Sequence, residues 1–134
     1  MKCEEKFLFF WLHPNIMTKI LVVDDDCSIC ELYKEILGSF EVVSACSGRE
    51  GLELYRKLMP DLVIVDINMP DISGVEVAKE IFKLNPEAVV IVVTAYYQEF
   101  ESKMLRLGAK EVLGKPFNLK HFRECVAKYL NKGS

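Results

Sequence analysis

The feature that most constrains the fold of this chain is an alternation of two apolar patterns from Ile20 onward. Short runs rich in β-branched residues predict strands, and the segments between them, with apolar residues every three or four positions, predict amphipathic helices. Strands that alternate with helices form a parallel sheet, because each crossover between parallel strands carries a helix. Five strands are predicted, at residues 20–23, 40–44, 62–65, 88–93 and 111–113.

The first, third and fourth predicted strands are almost continuously apolar, with the sequences ILVV, LVIV and AVVIVV. Such runs are typical of strands that are covered by helices on both faces. The segments that begin at Ser47 and Ser73 have the Ser-x-x-Glu pattern of a helix capping box. Helices are expected to end near Gly38, Asn85 and Gly108. The predicted fold class is therefore α/β, a doubly wound (βα)5 three-layer sandwich around a five-stranded parallel sheet.

The composition favours one domain that does not bind nucleic acid. The chain has 134 residues, 51% of them apolar, which is enough for one compact domain with a hydrophobic core. Its formal net charge of -3 lacks the excess of Lys and Arg that nucleic-acid binding requires. The five cysteines are an odd number without the spacing of a secreted disulfide scaffold. They are predicted to be reduced thiols, which favours a cytoplasmic location.

Residues 1–16 precede the patterned sequence and are interpreted as an N-terminal extension of uncertain role, followed by a domain over residues 17–134. The extension contains the apolar run FLFFWL at residues 7–12. A secretory signal needs roughly 7–15 apolar residues and a membrane-spanning helix about 20, so neither is predicted. Two interpretations of the extension stay open: a translation start that truly lies at Met17, and a functional segment.

Polar residues stand at the ends of four of the five predicted strands. They are Asp24 and Asp25 after the first strand, Asp66 after the third, Thr94 after the fourth and Lys115 after the fifth. The carboxyl ends of parallel strands lie along one edge of a sheet, so these side chains are expected to meet in one crevice. Crowded carboxylates repel one another unless a cation neutralises them, and Mg²⁺ prefers oxygen ligands. A lysine and a hydroxyl suit the oxygens of a transferring phosphoryl group, so the set predicts acyl-phosphate chemistry.

Five segments of the sequence together resemble the response-regulator receiver domains of two-component signalling. They are ILVVDD at 20–25, DLVIVDINMP at 61–70, Gly74, VTA at 93–95 and KPF at 115–117. The resemblance extends over about residues 18–131. It implies a flavodoxin-like arrangement with the strand order 2-1-3-4-5.

The resemblance also implies roles for the acidic residues at the strand ends. Asp66 matches the phosphoacceptor, and Asp25 matches a direct ligand of Mg²⁺. Asp24 matches an acid that acts mostly through metal-bound water, and Asn68 matches the residue whose backbone carbonyl completes the coordination shell. The expected metal site therefore consists of Asp24, Asp25, Asp66 and Asn68.

Two further residues are expected to contact the phosphoryl group. Thr94 matches the hydroxyl switch residue of the family, Lys115 matches its phosphate-binding lysine, and the Lys115-Pro116 bond matches a cis peptide. The chain departs from the family at Val112, which aligns with the usual aromatic switch residue. Because valine has one dominant rotamer, we expect the signal to leave instead through the 94–107 segment and its pair of tyrosines.

The expected function is that of a signalling phosphoacceptor, with self-directed phosphotransfer and autodephosphorylation as its only chemistry, and not that of a metabolic enzyme. The phosphoryl group is expected to come from a sensor histidine kinase or a phosphotransfer protein. Phosphorylation is expected to change the affinity for an output protein that the sequence does not identify. Neither direct nucleic-acid binding nor membrane insertion is expected.

Three other functions fit parts of the sequence. An Asp-x-Asp within residues 24–26 suggests a haloacid-dehalogenase-like phosphatase, although no cap domain is present in the pattern. The fold also permits a flavodoxin-like cofactor binder, but three carboxylates would repel a flavin phosphate. The C-x-x-C at residues 27–30 has the form of a redox motif, but the aspartates before it would raise thiol pKa values. It lacks a second pair of zinc ligands, so Cys27 and Cys30 are interpreted as small packing residues.

Overall fold

The computed structural model describes residues 18–130, in which strands and helices alternate. The strands are β1 (Lys19–Val23), β2 (Glu41–Ala45), β3 (Leu62–Asp66), β4 (Val90–Thr94) and β5 (Glu111–Gly114). The helices are α1 (Cys27–Ile36), α2 (Gly48–Leu58), α3 (Gly74–Leu84), α4 (Tyr97–Leu107) and α5 (Leu119–Leu130). The predicted extension over residues 1–16 and the predicted domain boundary at residue 17 lie outside the described residues.

The strands form one parallel sheet in the order β2-β1-β3-β4-β5. Val23 at the end of β1 lies opposite Ala45 of β2 and Val65 of β3, and Asp66 lies opposite Val93 of β4. The winding direction reverses between β1 and β3, and ligands of such sheets bind at the carboxyl ends of the strands beside this reversal. The predicted fold class and strand order are confirmed.

The strand boundaries differ from the predicted ones by one or two residues. The largest difference is at β4, which was predicted from residue 88 and begins at Val90. Ala88 instead belongs to a turn after α3, because its N–H donates to the Asn85 carbonyl at 3.0 Å. At its other end β4 includes Thr94, so that this hydroxyl is part of the sheet.

Helices cover both faces of the sheet, as the apolar strand sequences predict. Ile20 and Val22 of β1 belong to a core that includes side chains of α1 and α5. Leu21 and Val23, which point to the opposite face, belong to a core that includes side chains of α2, α3 and α4. Complete burial of such a side chain contributes roughly 1.5–3 kcal/mol relative to its exposure to water. The strand ends of the three-layer sandwich are therefore fixed by a well-packed hydrophobic core on each face of the sheet.

The predicted helix caps are present, with one difference in detail. The Oγ of Ser47 accepts from the N–H of Glu50 at 3.1 Å, and the Oγ of Ser73 accepts from the N–H of Glu76 at 3.4 Å. The Glu50 carboxylate accepts from the N–H of Cys46, one residue before the cap, at 2.6 Å. Glu50 thereby fixes the residue that joins β2 to α2.

The predicted helix ends are confirmed. Asn85 and Gly108 are the C-terminal caps of α3 and α4, and Gly108 has the positive φ of 129° that favours glycine. Gly38 lies in the turn that follows α1. Within residues 18–130, no helix combines the length and the apolar character needed to cross a membrane.

Candidate functional site

Four strand ends bring the predicted site residues to one edge of the sheet. Asp24 follows β1, Asp66 ends β3, Thr94 ends β4 and Lys115 follows β5. The Nζ of Lys115 lies 3.0 Å from the Oδ2 of Asp66 and 3.2 Å from the Oδ2 of Asp24. Residues that are 91 positions apart in the chain therefore form a direct ion pair.

Lys115 is the cation at this edge of the sheet. Burial disfavours its charged form, but the hydrogen bonds and charges of Asp66 and Asp24 outweigh burial and raise the Lys115 pKa. The ammonium group therefore stays charged at neutral pH and pairs with two carboxylates at once. The bond between Lys115 and Pro116 is cis, which confirms the prediction from the resemblance.

Asp24 is a buried carboxylate, with only 2% of the residue exposed. Burial raises its pKa and so does the charge of Asp66, while the N–H of Asp26 and the ammonium of Lys115 act against this shift. The Asp26 N–H donates to Asp24 Oδ1 at 2.9 Å. Even with these two partners, the fold leaves the charge of Asp24 incompletely compensated.

Asp24, Asp25 and Asp66 each offer a carboxylate oxygen within 4.8 Å of the others. We call these three carboxylates and Lys115 the acidic edge. An all-oxygen donor set suits a hard divalent cation such as Mg²⁺, whereas sites for softer metals use nitrogen and sulfur ligands. The residues present therefore fit the metal that the sequence predicts.

Asn68 lies in the loop that follows β3, two residues after Asp66. Its backbone N–H donates to Asp66 Oδ1 at 3.3 Å, which places Asn68 beside the acidic edge. Its assignment as a metal ligand through the backbone carbonyl stays a prediction.

Thr94 is completely buried at the end of β4. Its Oγ1 accepts from the N–H of Tyr96 at 3.0 Å, and its backbone carbonyl accepts from the N–H of Lys115 at 2.8 Å. This one residue thus joins the acidic edge to the loop that leads into α4. Within the described residues, no hydrogen bond joins the Thr94 hydroxyl directly to Asp66.

Val112 and the two tyrosines after Thr94 occupy different environments. Val112 is buried in the core that includes side chains of α2, α3 and α4, where a valine has little freedom to move. Tyr96 is 54% exposed and Tyr97 is 37% exposed. The hydroxyl of Tyr97 donates to the Glu101 carboxylate. The large exposed side chains near this site therefore belong to the start of α4 and not to β5.

Asp71 is a structural residue that the sequence analysis missed. Its carboxylate accepts from the N–H groups of Gly48 at 3.0 Å and Arg49 at 2.9 Å, at the N-terminus of α2. These backbone hydrogen bonds lower the pKa of Asp71 to about 2. The available signal was an acidic residue near a capping box, but its partner helix begins 23 residues earlier in the chain.

Gly74 was identified as part of a family pattern, and the structure gives the physical reason for it. It is the first residue of α3, and its N–H donates to the carbonyl of Ile67 at 2.8 Å. A Cβ atom at this position would overlap the backbone carbonyl oxygen of Asp66. Only glycine lets α3 begin in direct contact with the strand that carries Asp66.

The cysteines of the C-x-x-C segment point to different environments. Cys30 is buried, its Sγ donates to the Asp24 carbonyl at 3.5 Å, and burial followed by the charge of Asp24 raises its pKa. Cys27 is exposed, so its interpretation as a packing residue is wrong. Its Sγ lies 2.8 Å from the Sγ of Cys46 instead of pairing with Cys30.

Comparison with known proteins is consistent with this geometry. The family model described as "Response regulator receiver domain" matches residues 20–127. The chain is 36% identical over 114 residues to "Chemotaxis protein CheY" of Thermotoga maritima, covering 82% of this chain and 95% of that protein. It is 33% identical over 115 residues to "Sporulation initiation phosphotransferase F" of Bacillus subtilis, covering 84% and 93%.

A similar solved structure is the response regulator TrrA of Thermotoga maritima in complex with Mg²⁺ and a beryllium fluoride group. The two structures superpose with a TM-score of 0.78 at 43% sequence identity, covering 84% of this chain and 99% of TrrA. The likeness therefore extends over most of this chain and nearly all of TrrA.

Proposed function

This chain belongs to the response regulator receiver domain family, and from that premise we propose that Asp66 is its phosphoacceptor. The observation that carries the proposal is the position of the Asp66 carboxylate, 3.0 Å from the Lys115 ammonium and within the acidic edge. The chain is a signalling domain of two-component systems. The phosphatase and flavin-binding alternatives are therefore set aside.

In the proposed reaction, a carboxylate oxygen of Asp66 attacks the phosphorus of a phosphohistidine. An acyl phosphate forms on Asp66 as the bond between phosphorus and the imidazole nitrogen breaks, and the electron pair leaves with the imidazole. The donor is a sensor histidine kinase or a phosphotransfer protein. A similar solved structure, TrrA, carries a beryllium fluoride group with Mg²⁺, and this supports the proposal by likeness.

The proposed metal ligands are the carboxylates of Asp24, Asp25 and Asp66 and the backbone carbonyl of Asn68. Mg²⁺ bound there would neutralise negative charge on the carboxylates and on the phosphoryl oxygens. Asp24 and Asp25 lie on the loop after β1. The N–H of Asp26 donates to the Asp24 carboxylate there and orients it. This arrangement explains why a buried charge with a raised pKa is kept in the fold.

Lys115 and Thr94 are proposed to contact the phosphoryl oxygens. The Lys115 ammonium already lies next to Asp66, so a small change of its pairing brings it to a phosphoryl oxygen. The Thr94 hydroxyl accepts from Tyr96 in this structure, and its own hydrogen is available as a donor. Donation to the phosphoryl group would change the position of Oγ1 and with it the loop that begins α4.

The signalling cycle is proposed to close by autodephosphorylation, in which water attacks the phosphorus of the acyl phosphate and releases inorganic phosphate. The phosphorylated chain then differs from the free chain in its affinity for an output protein. We place this cycle in the cytoplasm, where histidine kinases present their phosphoryl groups. No step requires the chain to act on a separate metabolite.

The proposal is tested by labelling the chain with acetyl phosphate or with a kinase in the presence of Mg²⁺. Asp66→Asn removes the nucleophilic carboxylate, so we expect complete loss of the acid-stable, base-labile label. Asp61→Asn is the matched control, because Asp61 accepts from the Lys19 N–H at the opposite end of the sheet and keeps the site intact. Stoichiometric labelling of the Asp66 variant would show that the phosphoacceptor is another residue.

A further inference from the structure

Cys27 and Cys46 are two exposed cysteines that are in direct contact with each other. Neither takes part in the proposed phosphoacceptor reaction. Both are free thiols, and their Sγ atoms are 2.8 Å apart although 19 residues separate them in the chain. A disulfide bond is about 2.03–2.05 Å long, so less than about 1 Å of approach separates the pair from a covalent bond. Unbonded sulfur atoms seldom approach this closely.

Backbone hydrogen bonds fix the chain on both sides of this contact. Cys27 is the first residue of α1, directly after the capping residue Asp26. Cys46 follows β2, where the Ala45 carbonyl accepts from the Asp24 N–H at 3.1 Å. The Cys46 N–H itself donates to Glu50 at 2.6 Å. The sheet and the starts of the two helices therefore position the two thiols next to each other. Their contact does not require a rearrangement of flexible loops.

We propose that Cys27 and Cys46 are a covalent modification site, where a hydroperoxide forms an intramolecular disulfide. One thiol is first oxidised to a sulfenic acid as the oxygen–oxygen bond of the hydroperoxide breaks and one oxygen leaves as water or an alcohol. The other thiol then attacks the sulfenic sulfur, the sulfur–sulfur bond forms and a water leaves. Two electrons and two protons pass from the thiols to the hydroperoxide, so the reaction balances.

The surroundings select this pair over the other described thiols. Cys30 and Cys125 are buried, and burial is the main cause that raises the pKa of each. Cys27 and Cys46 are open to a small oxidant. Accessibility is what separates the two pairs, because the hydrogen bond to Cys27 raises the pKa of Cys46 as well, to about 11.

The disulfide would join the start of α1 to the start of α2. The loop that it closes contains α1 and β2, and its first residue stands two positions after Asp25 of the acidic edge. The site thus lies beside the phosphoacceptor without using any of its groups. Oxidation would restrain the segment that carries Asp25 and Asp26.

The test uses the full chain with Cys3→Ser, because Cys3 lies outside the described residues and is a possible competing thiol. The protein is treated with hydrogen peroxide in the presence of a chelator, blocked with iodoacetamide and digested with trypsin. We expect loss of two alkylatable thiols and a cross-link between the tryptic peptides 20–34 and 35–49 that dithiothreitol reverses. Because these peptides are adjacent, the mass of the added water distinguishes a cross-link from a missed cleavage.

Variants assign the bond to individual residues. Cys27→Ser and Cys46→Ser should each abolish the cross-link, whereas the matched controls Cys30→Ser and Cys125→Ser should retain it. The cross-link should also disappear when the oxidation is carried out in denaturant, where the sheet no longer holds the two thiols together. A cross-link that survives Cys27→Ser, one that forms only between chains, or the absence of any cross-link in the folded parent would each overturn the proposal.

Discussion

The acidic edge and the N-terminus of α2 both hold aspartate carboxylates, but they compensate the charge in opposite ways. At the acidic edge, Asp24 is buried and its pKa is raised. At the start of α2, Asp71 is exposed to solvent and accepts from two backbone N–H groups, which lower its pKa to about 2. The Asp71 carboxylate has a structural role, and backbone hydrogen bonds compensate its charge. A carboxylate that is left partly uncompensated is available for a ligand.

The largest expected difference between the two sites concerns the binding of Mg²⁺. Asp25→Ala removes one of the proposed ligands, so we expect the affinity for Mg²⁺ to fall at least about tenfold, which is about 1.4 kcal/mol. Asp71→Asn is the matched control, and it should bind Mg²⁺ like the parent. The affinity is measured from the rise of the melting temperature with Mg²⁺ concentration, which follows mass action. Parent-like binding by the Asp25 variant would exclude Asp25 from the ligand set.

The stability of the metal-free chain should respond in opposite directions to changes at the two sites. Asp24→Asn removes a buried charge and keeps an acceptor for the Asp26 N–H. We expect the free energy of unfolding at pH 7 to rise by about 1 kcal/mol. Because the folded pKa of Asp24 lies above its ordinary value of 3.8, its charge costs stability at neutral pH and this cost disappears as the pH falls to 3.8. A gain that persists below that pH would argue against an electrostatic origin.

At the N-terminus of α2, we expect Asp71→Asn to lower the free energy of unfolding at pH 7. The folded pKa of Asp71 is about 2 and its ordinary value is 3.8, so its contribution is complete above 3.8 and is lost as the pH falls toward 2. Urea denaturation of the parent and both variants across pH 2–7 checks both signs. Two variants that shift stability in the same direction would contradict the distinction between the sites.

The smallest expected effect is a movement of the 94–107 segment. It compares this exposed segment with the buried Val112. Adding Mg²⁺ and beryllofluoride as a phosphoryl mimic should change hydrogen exchange across residues 94–107, because the Thr94 hydroxyl is bonded to the Tyr96 N–H. Val112 is buried and should keep its rotamer. The control is Asp66→Asn, which should show no change with the mimic. An unchanged 94–107 segment together with a reoriented Val112 would refute this route.

The sequence predicted the sheet and the residues on its carboxyl edge because both depend on short-range patterns. The apolar runs placed four strand ends, and a parallel sheet must bring Asp66, Thr94 and Lys115 to the same edge. The resemblance to a family added the strand order and the cis bond before Pro116, which spacing alone does not determine.

The two features that were missed depend on contacts between distant segments. Asp71 caps a helix that begins 23 residues earlier, and no local pattern connects it with Gly48. Cys27 was read with Cys30 because the two are neighbours in sequence, yet its contact is with Cys46. The strand order contained the signal: β1 and β2 are adjacent, so the residues just after each of them lie side by side.

The close contact at Gly74 has a mechanical consequence for this domain. Since the space between Gly74 and the Asp66 carbonyl leaves no room for even one methyl group, any larger residue at position 74 would push α3 away from β3. Beyond β4, the start of α4 is more exposed, and the Thr94 hydroxyl links it to the strand by accepting from the Tyr96 N–H. The tight backbone contact therefore lies on one side of Asp66 and the more exposed packing on the other.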